Sequence, residues 1–296
     1  NYSKSPNITD AIRLLAFEQW VDEGSSIESV KLISANQALK ASFKIWCEQR
    51  GVNFVYQNVS STTKSTSLVK RVYHKLPHSL QACIWLFKHL IDRWPFRGVG
   101  LDEWKRTEGT HTFITYLFNL EPKALQEGNF ECRYWTKLPK EFEKKGIKTN
   151  WLHIYVKDRI LPSVEQASEA IGRLNNNPES GQTHVLLHSF ISWRVILSTL
   201  RDVFFVRRSV KGAEAGLVNE SHLWPLIQTD WCSSIYGQTA VGTLLMLNLF
   251  EAALAMLPKQ SHGVYLQENQ GWEMGMISSW KRVGHHDLTG FPHSTI

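Results

Sequence analysis

The sequence predicts an α/β fold built on a parallel sheet with crossover helices. Three observations carry this expectation. Helix-like and strand-like periods alternate along the chain, and the first such triplet, a strand over 30–34, a helix over 36–49 and a strand over 53–57, has β-α-β spacing. The length of 296 residues with 43% hydrophobic positions supplies a substantial core.

Element by element, Thr9 or Asp10 can cap a first helix reaching about Val21, with Ile12, Leu15 and Gln19 on one face. The second helix stops at Gly51, and the polar Ser/Thr/Lys stretch over 60–67 reads as a loop. The segment from Leu80 to Trp94 is the most apolar helix candidate and ends in Arg93-Trp94-Pro95-Phe96-Arg97. Trp beside Arg suits a membrane headgroup boundary, so this segment reads either as an interfacial helix or as a core helix with a Trp-rich cap. Later strands are expected over 112–118, 151–156, 183–187, 263–267 and 288–291, and helices over 137–145, 163–174, 189–206, 238–257 and 272–283. Pro258 and Gly263 follow a long apolar helix, which places a domain boundary at 258/259.

Composition narrows the partners. Thirty-three Lys+Arg against 27 Asp+Glu give a net charge of +6, spread along the chain, so nucleic acid is not expected as a partner. Cys47, Cys83, Cys132 and Cys232 lie far apart and read as reduced, mostly buried thiols of a cytoplasmic protein. No apolar run is read as spanning a bilayer and no signal peptide is expected. The chain lacks P-loop, nucleophile-elbow, zinc-protease and dinucleotide fingerprints. It also lacks a D-x-D pair, so no metal site and no cofactor are expected.

Four clusters mix carboxylates, amides, aromatics and glycine. In the first, Asp230, Trp231, Ser233, Ser234, Gln238 and Thr239 fit a loop leading into a helix, whose free N–H groups suit a phosphate. Asp230 could serve there as nucleophile or general base, or it and the serines could simply cap the helix. In the second, a strand ends in Glu268, Asn269 and Gln270 before a helix that contains Glu273. Ligands of open α/β sheets sit at such corners. Glu268 is the candidate acid/base, Asn269 and Gln270 are candidates for holding sugar hydroxyls, and Glu273 suits either that site or a helix first turn. In the third, His293, Ser294 and Thr295 follow a strand and could bind phosphate, whereas His285 and His286 read as turn residues. In the fourth, Glu131, Arg133, Trp151 and His153 form either a carbohydrate-stacking surface or ordinary core.

These residues carry a resemblance. Asn119-Leu120, Arg133-Tyr134-Trp135, Asn150-Trp151-Leu152-His153, Asp230-Trp231, Leu257-Pro258-Lys259-Gln260, Tyr265-Leu266-Gln267-Glu268-Asn269-Gln270-Gly271-Trp272-Glu273 and Pro292-His293-Ser294-Thr295 together resemble a family of bacterial surface-carbohydrate (O-antigen type) biosynthesis proteins. The resemblance implies a glycosyltransferase with two facing Rossmann-like domains, the GT-B architecture, and is distantly similar to retaining transferases that use CMP-Kdo. It implies that 1–258 form an amino-terminal, acceptor-side Rossmann-like domain with helical insertions. It further implies that 259–296 begin a truncated nucleotide-sugar-binding domain. By analogy Asp230 would be the nucleophile, with Glu268 and His293 facing the cleft and Ser294 and Thr295 on the leaving phosphate.

The implied partners are a nucleotide sugar, with a CMP-linked acidic sugar as one option, and a lipid-linked or polysaccharide acceptor. The implied place is the cytoplasmic face of the inner membrane, with peripheral contact through Leu80 to Trp94. Two alternatives stay open: a glycoside hydrolase pairing Asp230 with Glu268 at a separation of ~5–9.5 Å, and a non-catalytic carbohydrate-binding or scaffold protein of a glycan assembly complex.

Overall fold

The computed structural model describes residues 5, 7–24, 26–59, 72–73 and 75–292. The loop expected over 60–67 lies outside them, as do His293, Ser294 and Thr295. In chain order the elements are α1 (Ile8–Asp22), β1 (Ser29–Ser34), α2 (Gln37–Arg50), β2 (Asn53–Asn58), α3 (His78–Arg93), α4 (Leu101–Arg106) and β3 (His111–Leu117). Next come α5 (Pro122–Gln126), α6 (Leu138–Lys144), β4 (Thr149–Tyr155), α7 (Val164–Asn175), β5 (Gln182–Leu186) and α8 (Trp193–Glu220). The last are α9 (Trp224–Ile235), α10 (Gln238–Met256), β6 (His262–Gln267), α11 (Gly271–Val283) and β7 (Asp287–Pro292).

The chain divides into two compact units, Asn1–Cys83 with Val203–Ala240, and Ile84–Asp202 with Val241–Ile296. It crosses between them three times, each time inside a helix: α3, α8 and α10.

The first unit holds the predicted β-α-β triplet. The Asn36 side chain accepts from the N–H groups of Ala38 and Leu39 and so starts α2. Gly51, at φ +68°, ends that helix in the left-handed conformation that glycine tolerates. β1 and β2 then pair in parallel, from Ser29 opposite Asn53 to Ser34 opposite Asn58. Ala11, Leu14 and Leu226 form the buried centre, with Phe17, Leu39 and Phe43 packed against it.

The second unit is a five-stranded parallel sheet in the order β5-β4-β3-β6-β7, flanked by helices. Because parallel strands are covered on both faces, β4 is buried at every position. On one face Phe113 stacks on Trp151 at 4.3 Å, within a cluster that includes Ala167, Ala170, Ile171 and Leu174 of α7. On the other side α10 is apolar all round and buries Leu245, Leu249, Phe250, Ala253 and Leu254. Trp104 of α4 donates its indole N–H to the Ala253 carbonyl. Gly263 admits Trp280 so closely that a Cβ would lie 2.6 Å from the indole, bringing α11 onto β6.

Polar groups at the amino edge of the sheet are tied together. Asn150 donates to the Gln260 side-chain oxygen (3.0 Å) and to the Gly109 carbonyl (2.9 Å). Gln260 accepts from Thr112 and donates to the carbonyls of Gly109 and Pro258. Both amides are therefore satisfied although fully buried.

Four expectations are corrected. No domain begins at 259, because β6 and β7 complete the same sheet as β3, β4 and β5, and Gln260 is locked into its interior. The stretch expected as a loop around Asp230 is the helix α9, and α8 runs well past 206 to Glu220. By length and composition alone, 224–256 is apolar enough to cross a membrane, contrary to the reading that no such run exists. It consists of two helices broken at Tyr236-Gly237, and many of its residues are buried in the fold.

Candidate functional site

Counted within the second unit, the strands run third, second, first, fourth, fifth across the sheet. From β3 the chain winds outward through β4 to β5, then returns to the other side of β3 as β6. Winding therefore reverses between β3 and β6. In open α/β sheets the crevice outside the carboxyl ends of the strands at such a reversal is where ligands bind.

The register shows how this crevice opens. β3 and β6 pair only as far as Ile114 opposite Tyr265. β3 continues along β4 to Leu117, and β6 continues along β7 to Gln267. The two central strands thus part for their last residues and leave a notch.

Beyond Leu117 and Gln267 both strands turn through an asparagine with positive φ, Asn119 at +55° and Asn269 at +57°. This is a conformation that non-glycine residues seldom adopt away from tight turns and functional loops. The backbone after Asn119 is pinned by Arg133, whose N–H donates to the Asn119 carbonyl (3.1 Å), and by the Leu120–Cys132 bridge. That pinning brings Tyr134 edge-to-face against Phe118 (5.2 Å), which in turn packs edge-to-face against Tyr116 (5.6 Å). Trp135 closes the other side, donating to Thr115 at 3.1 Å and lying 5.3 Å from the Phe291 ring of β7.

Glu268 is the acid of this notch. The Tyr116 hydroxyl stands beside its carboxylate and beside the Trp272 indole. Burial pushes the Tyr116 phenol above its ordinary value, Glu268 pushes it the same way, and the indole opposes them. Tyr134 is raised chiefly by burial, opposed by the Asn119 amide and assisted by the charge of Glu268. Both phenols therefore stay protonated at neutral pH and can act as hydrogen-bond donors beside a carboxylate. Gln270 is half-buried and Asn269 exposed on the loop that follows.

Glu273 takes the structural one of its two readings. It is buried and accepts from the backbone N–H of Glu268 (2.9 Å) and of Gln270 (2.7 Å), forming a capping box with Gln270 at the start of α11. Its role is to hold the Glu268 loop.

The other sequence candidates are placed differently. Asp230 lies inside α9, in the first unit, and accepts a hydrogen bond from the Ser5 hydroxyl. No loop leads from it into α10. Trp231 packs edge-on against Trp224 (6.2 Å), Ser233 bonds to Thr239 (2.7 Å), and Ser234 and Gln238 are exposed. Asp230 and Glu268 therefore belong to separate compact units.

Trp151 and His153 are fully buried in β4, where His153 faces His184 at 3.0 Å, so neither is a carbohydrate-stacking residue. Glu131 pairs with Lys140 at 2.5 Å, and Arg133 is exposed. His285 is not a loose turn residue but a buried tie, accepting from the Gln260 N–H and meeting the Leu254 carbonyl. Tyr116 and Phe118 are not singled out by the sequence, and Asn119, Tyr134 and Trp272 enter it only within the runs that carry the resemblance, with no role attached. Asn119 directly after an apolar strand was the one local signal that could have found the β3 side.

A cavity of about 540 Å³ lies at the opposite, amino edge of the sheet, lined by Asp102, Arg106, Glu108, Lys148, Asn175 and Thr183. Lys148 is paired to Glu108 there, and the cavity has no part in the notch. Among the described residues no group of three or more His, Cys, Asp or Glu side chains could hold a metal ion.

The fold defines the class: an α/β protein whose five-stranded parallel sheet is Rossmann-like. No family model, curated protein or solved structure matches the chain.

Proposed function

We propose that the protein is a glycosyltransferase of bacterial surface-polysaccharide assembly that seats a nucleotide-activated sugar at the parted ends of β3 and β6. The observation that carries the reading is Glu268 in this notch, beside two protonated tyrosines and held by the Glu273 cap. The family resemblance supplies the reaction class, and the second Rossmann-like domain of the GT-B architecture belongs to this proposal. In it, Glu268 takes the proton from the acceptor hydroxyl as the glycosidic bond forms and the bond to the donor phosphate breaks. Phe118 and Tyr134 offer ring faces to the sugar C–H groups, and Asn269 and Gln270 hold its hydroxyls. His293, Ser294 and Thr295 follow Pro292, whose register partner Gln267 immediately precedes Glu268. In this reading they receive the charge that grows on the leaving phosphate. Asp230, engaged with Ser5 inside α9, is given no role.

Nucleotide sugars are made in the cytoplasm, so the reaction is placed on that side of the membrane. The test is a panel of UDP-, GDP-, dTDP- and CMP-linked sugars. One of them should raise the melting temperature of wild type and of Glu268→Gln alike, whereas acceptor-dependent nucleotide release should fall by roughly 10²–10⁴ in the variant. Sugar release from a nucleotide-free glycan, or full transfer by Glu268→Gln, would sink the proposal.

A further inference from the structure

The second unit carries an apolar surface that its own fold does not use. α3 buries Leu86, and the edge of Trp85 lies against Gly242 of α10, where a Cβ would come within 3.1 Å of the ring. α8 buries Val195, Ile196 and Thr199, and its Asp202 accepts from Asn248 of α10 at 2.9 Å. Opposite these packed faces both helices are apolar again. Ile84, Phe87 and Ile91 on α3 are spaced three and four apart, and Trp193, Leu197 and Leu200 on α8 four and three apart. All six are exposed, Phe87 to 70% and Trp193 to 66%. The two helices meet where the rings of Trp94 and Trp193 lie 5.9 Å apart. An apolar stripe at helical spacing on the solvent side of a helix already anchored in the core marks a contact surface.

The surroundings say what covers it. Lys88, Arg97 and Arg194 are exposed around the stripes, and the Arg97 guanidinium lies 5.3 Å from the centre of the Trp94 ring. On the acidic side stand Asp92, and Asp202, which is held by Arg201 and Asn248. Aliphatic and Phe side chains bordered by Trp and Arg match the layers of an anionic bilayer, with hydrocarbon beneath and aromatic rings and cations at headgroup level. We infer that the outer faces of α3 and α8 together form a platform that lies in the surface of an anionic phospholipid membrane without crossing it. The inference stands apart from the chemistry at the β3–β6 notch and needs no activity for its test.

The test is co-sedimentation of the full chain with phosphatidylcholine vesicles and with vesicles containing phosphatidylglycerol. Wild type should sediment with the anionic vesicles, less so as salt is raised, and stay in solution with the zwitterionic ones. Phe87→Asp with Trp193→Asp should lower the partition at least about tenfold at unchanged melting temperature. If that variant melts early, Phe87→Gln with Trp193→Gln replaces it, with the same expectation. Arg97→Glu with Arg194→Glu should abolish the preference for anionic lipid. The inference fails if wild type ignores both vesicles, or if the apolar and charge variants bind like wild type. It fails equally if wild type is a dimer that the apolar variant dissociates without any vesicle binding having been present.

Discussion

Tyr116 of β3 stands beside Glu268, the residue that follows β6, across the gap where the two strands stop pairing. Each strand brings one member, so the contact exists only because residues about 150 positions apart in sequence become neighbours at the reversal of winding. A phenol in this position reports on its carboxylate. Replacing Glu268 by Gln removes the negative charge and should bring the Tyr116 ionisation down toward the ordinary tyrosine value, while burial keeps part of the elevation. NMR of ring-labelled tyrosine against pH measures this, and an unmoved Tyr116 titration would contradict the contact.

Glu273 holds two backbone N–H groups of the Glu268 loop. Glu273→Ala leaves both without their acceptor and should cost about 1–2 kcal/mol of stability. Glu273→Gln, which keeps an acceptor oxygen, should cost less. Urea denaturation of the three proteins orders them.

The Asn150–Gln260 pair should behave as a structural tie. Gln260→Leu leaves the Thr112 hydroxyl and the Pro258 carbonyl without their partner in a dry interior and takes one of two acceptors from the Asn150 amide, and should lower stability by about 2–3 kcal/mol. If chemical denaturation showed it neutral, the network would be solvated in solution.

Acid should loosen the second unit. Burial pushes His89 down to about 4 and His153 and His188 to about 3, and it lowers His184 as well. His89 and His188 face each other at 3.2 Å, and His153 and His184 at 3.0 Å, so each pair needs one neutral ring as acceptor. Their folded-state values lie below the unfolded value of 6.5, so below that pH the unfolded chain binds more protons. Stability from these groups is complete above 6.5 and is lost as pH falls from there toward about 4 and then 3. Each histidine that stays neutral adds a slope of about 1.4 kcal/mol per pH unit. Urea midpoints at about pH 7.5 and about pH 5.5 should differ accordingly, and His188→Phe should flatten the dependence.

Local pattern carried the secondary structure well where apolar runs were bounded by Gly or Asn. The strands ending at Leu117, Tyr155 and Gln267 fall within a residue or so of their expected limits, and Asn36 and Gly51 bracket α2. It failed at Asp230 because Gln228, Thr229 and Ser234 are the wet face of a helix whose anchors are Trp224 and Leu226. With Pro225 opening that helix, the polar residues imitate a loop. It failed again at 258–263 because Pro and Gly signals resemble a linker, whereas Gln260 is bonded on every side and Gly263 exists to admit Trp280. Trp151 and His153 misled for a third reason: a strand covered on both faces shows no alternation, so core aromatics look like a surface cluster. The Glu268 corner was legible from its own few residues. Its partners on β3 were not, since nothing local reveals which strands lie side by side.

The three passages between units, each inside α3, α8 or α10, set a rule for dissecting this protein. Neither unit is a contiguous piece of chain, so no single truncation releases either one whole. A fragment ending near 202 would keep β3, β4 and β5 yet lose β6, and with it the Glu268 half of the notch. Studies of separate halves would have to join non-adjacent segments or express them together.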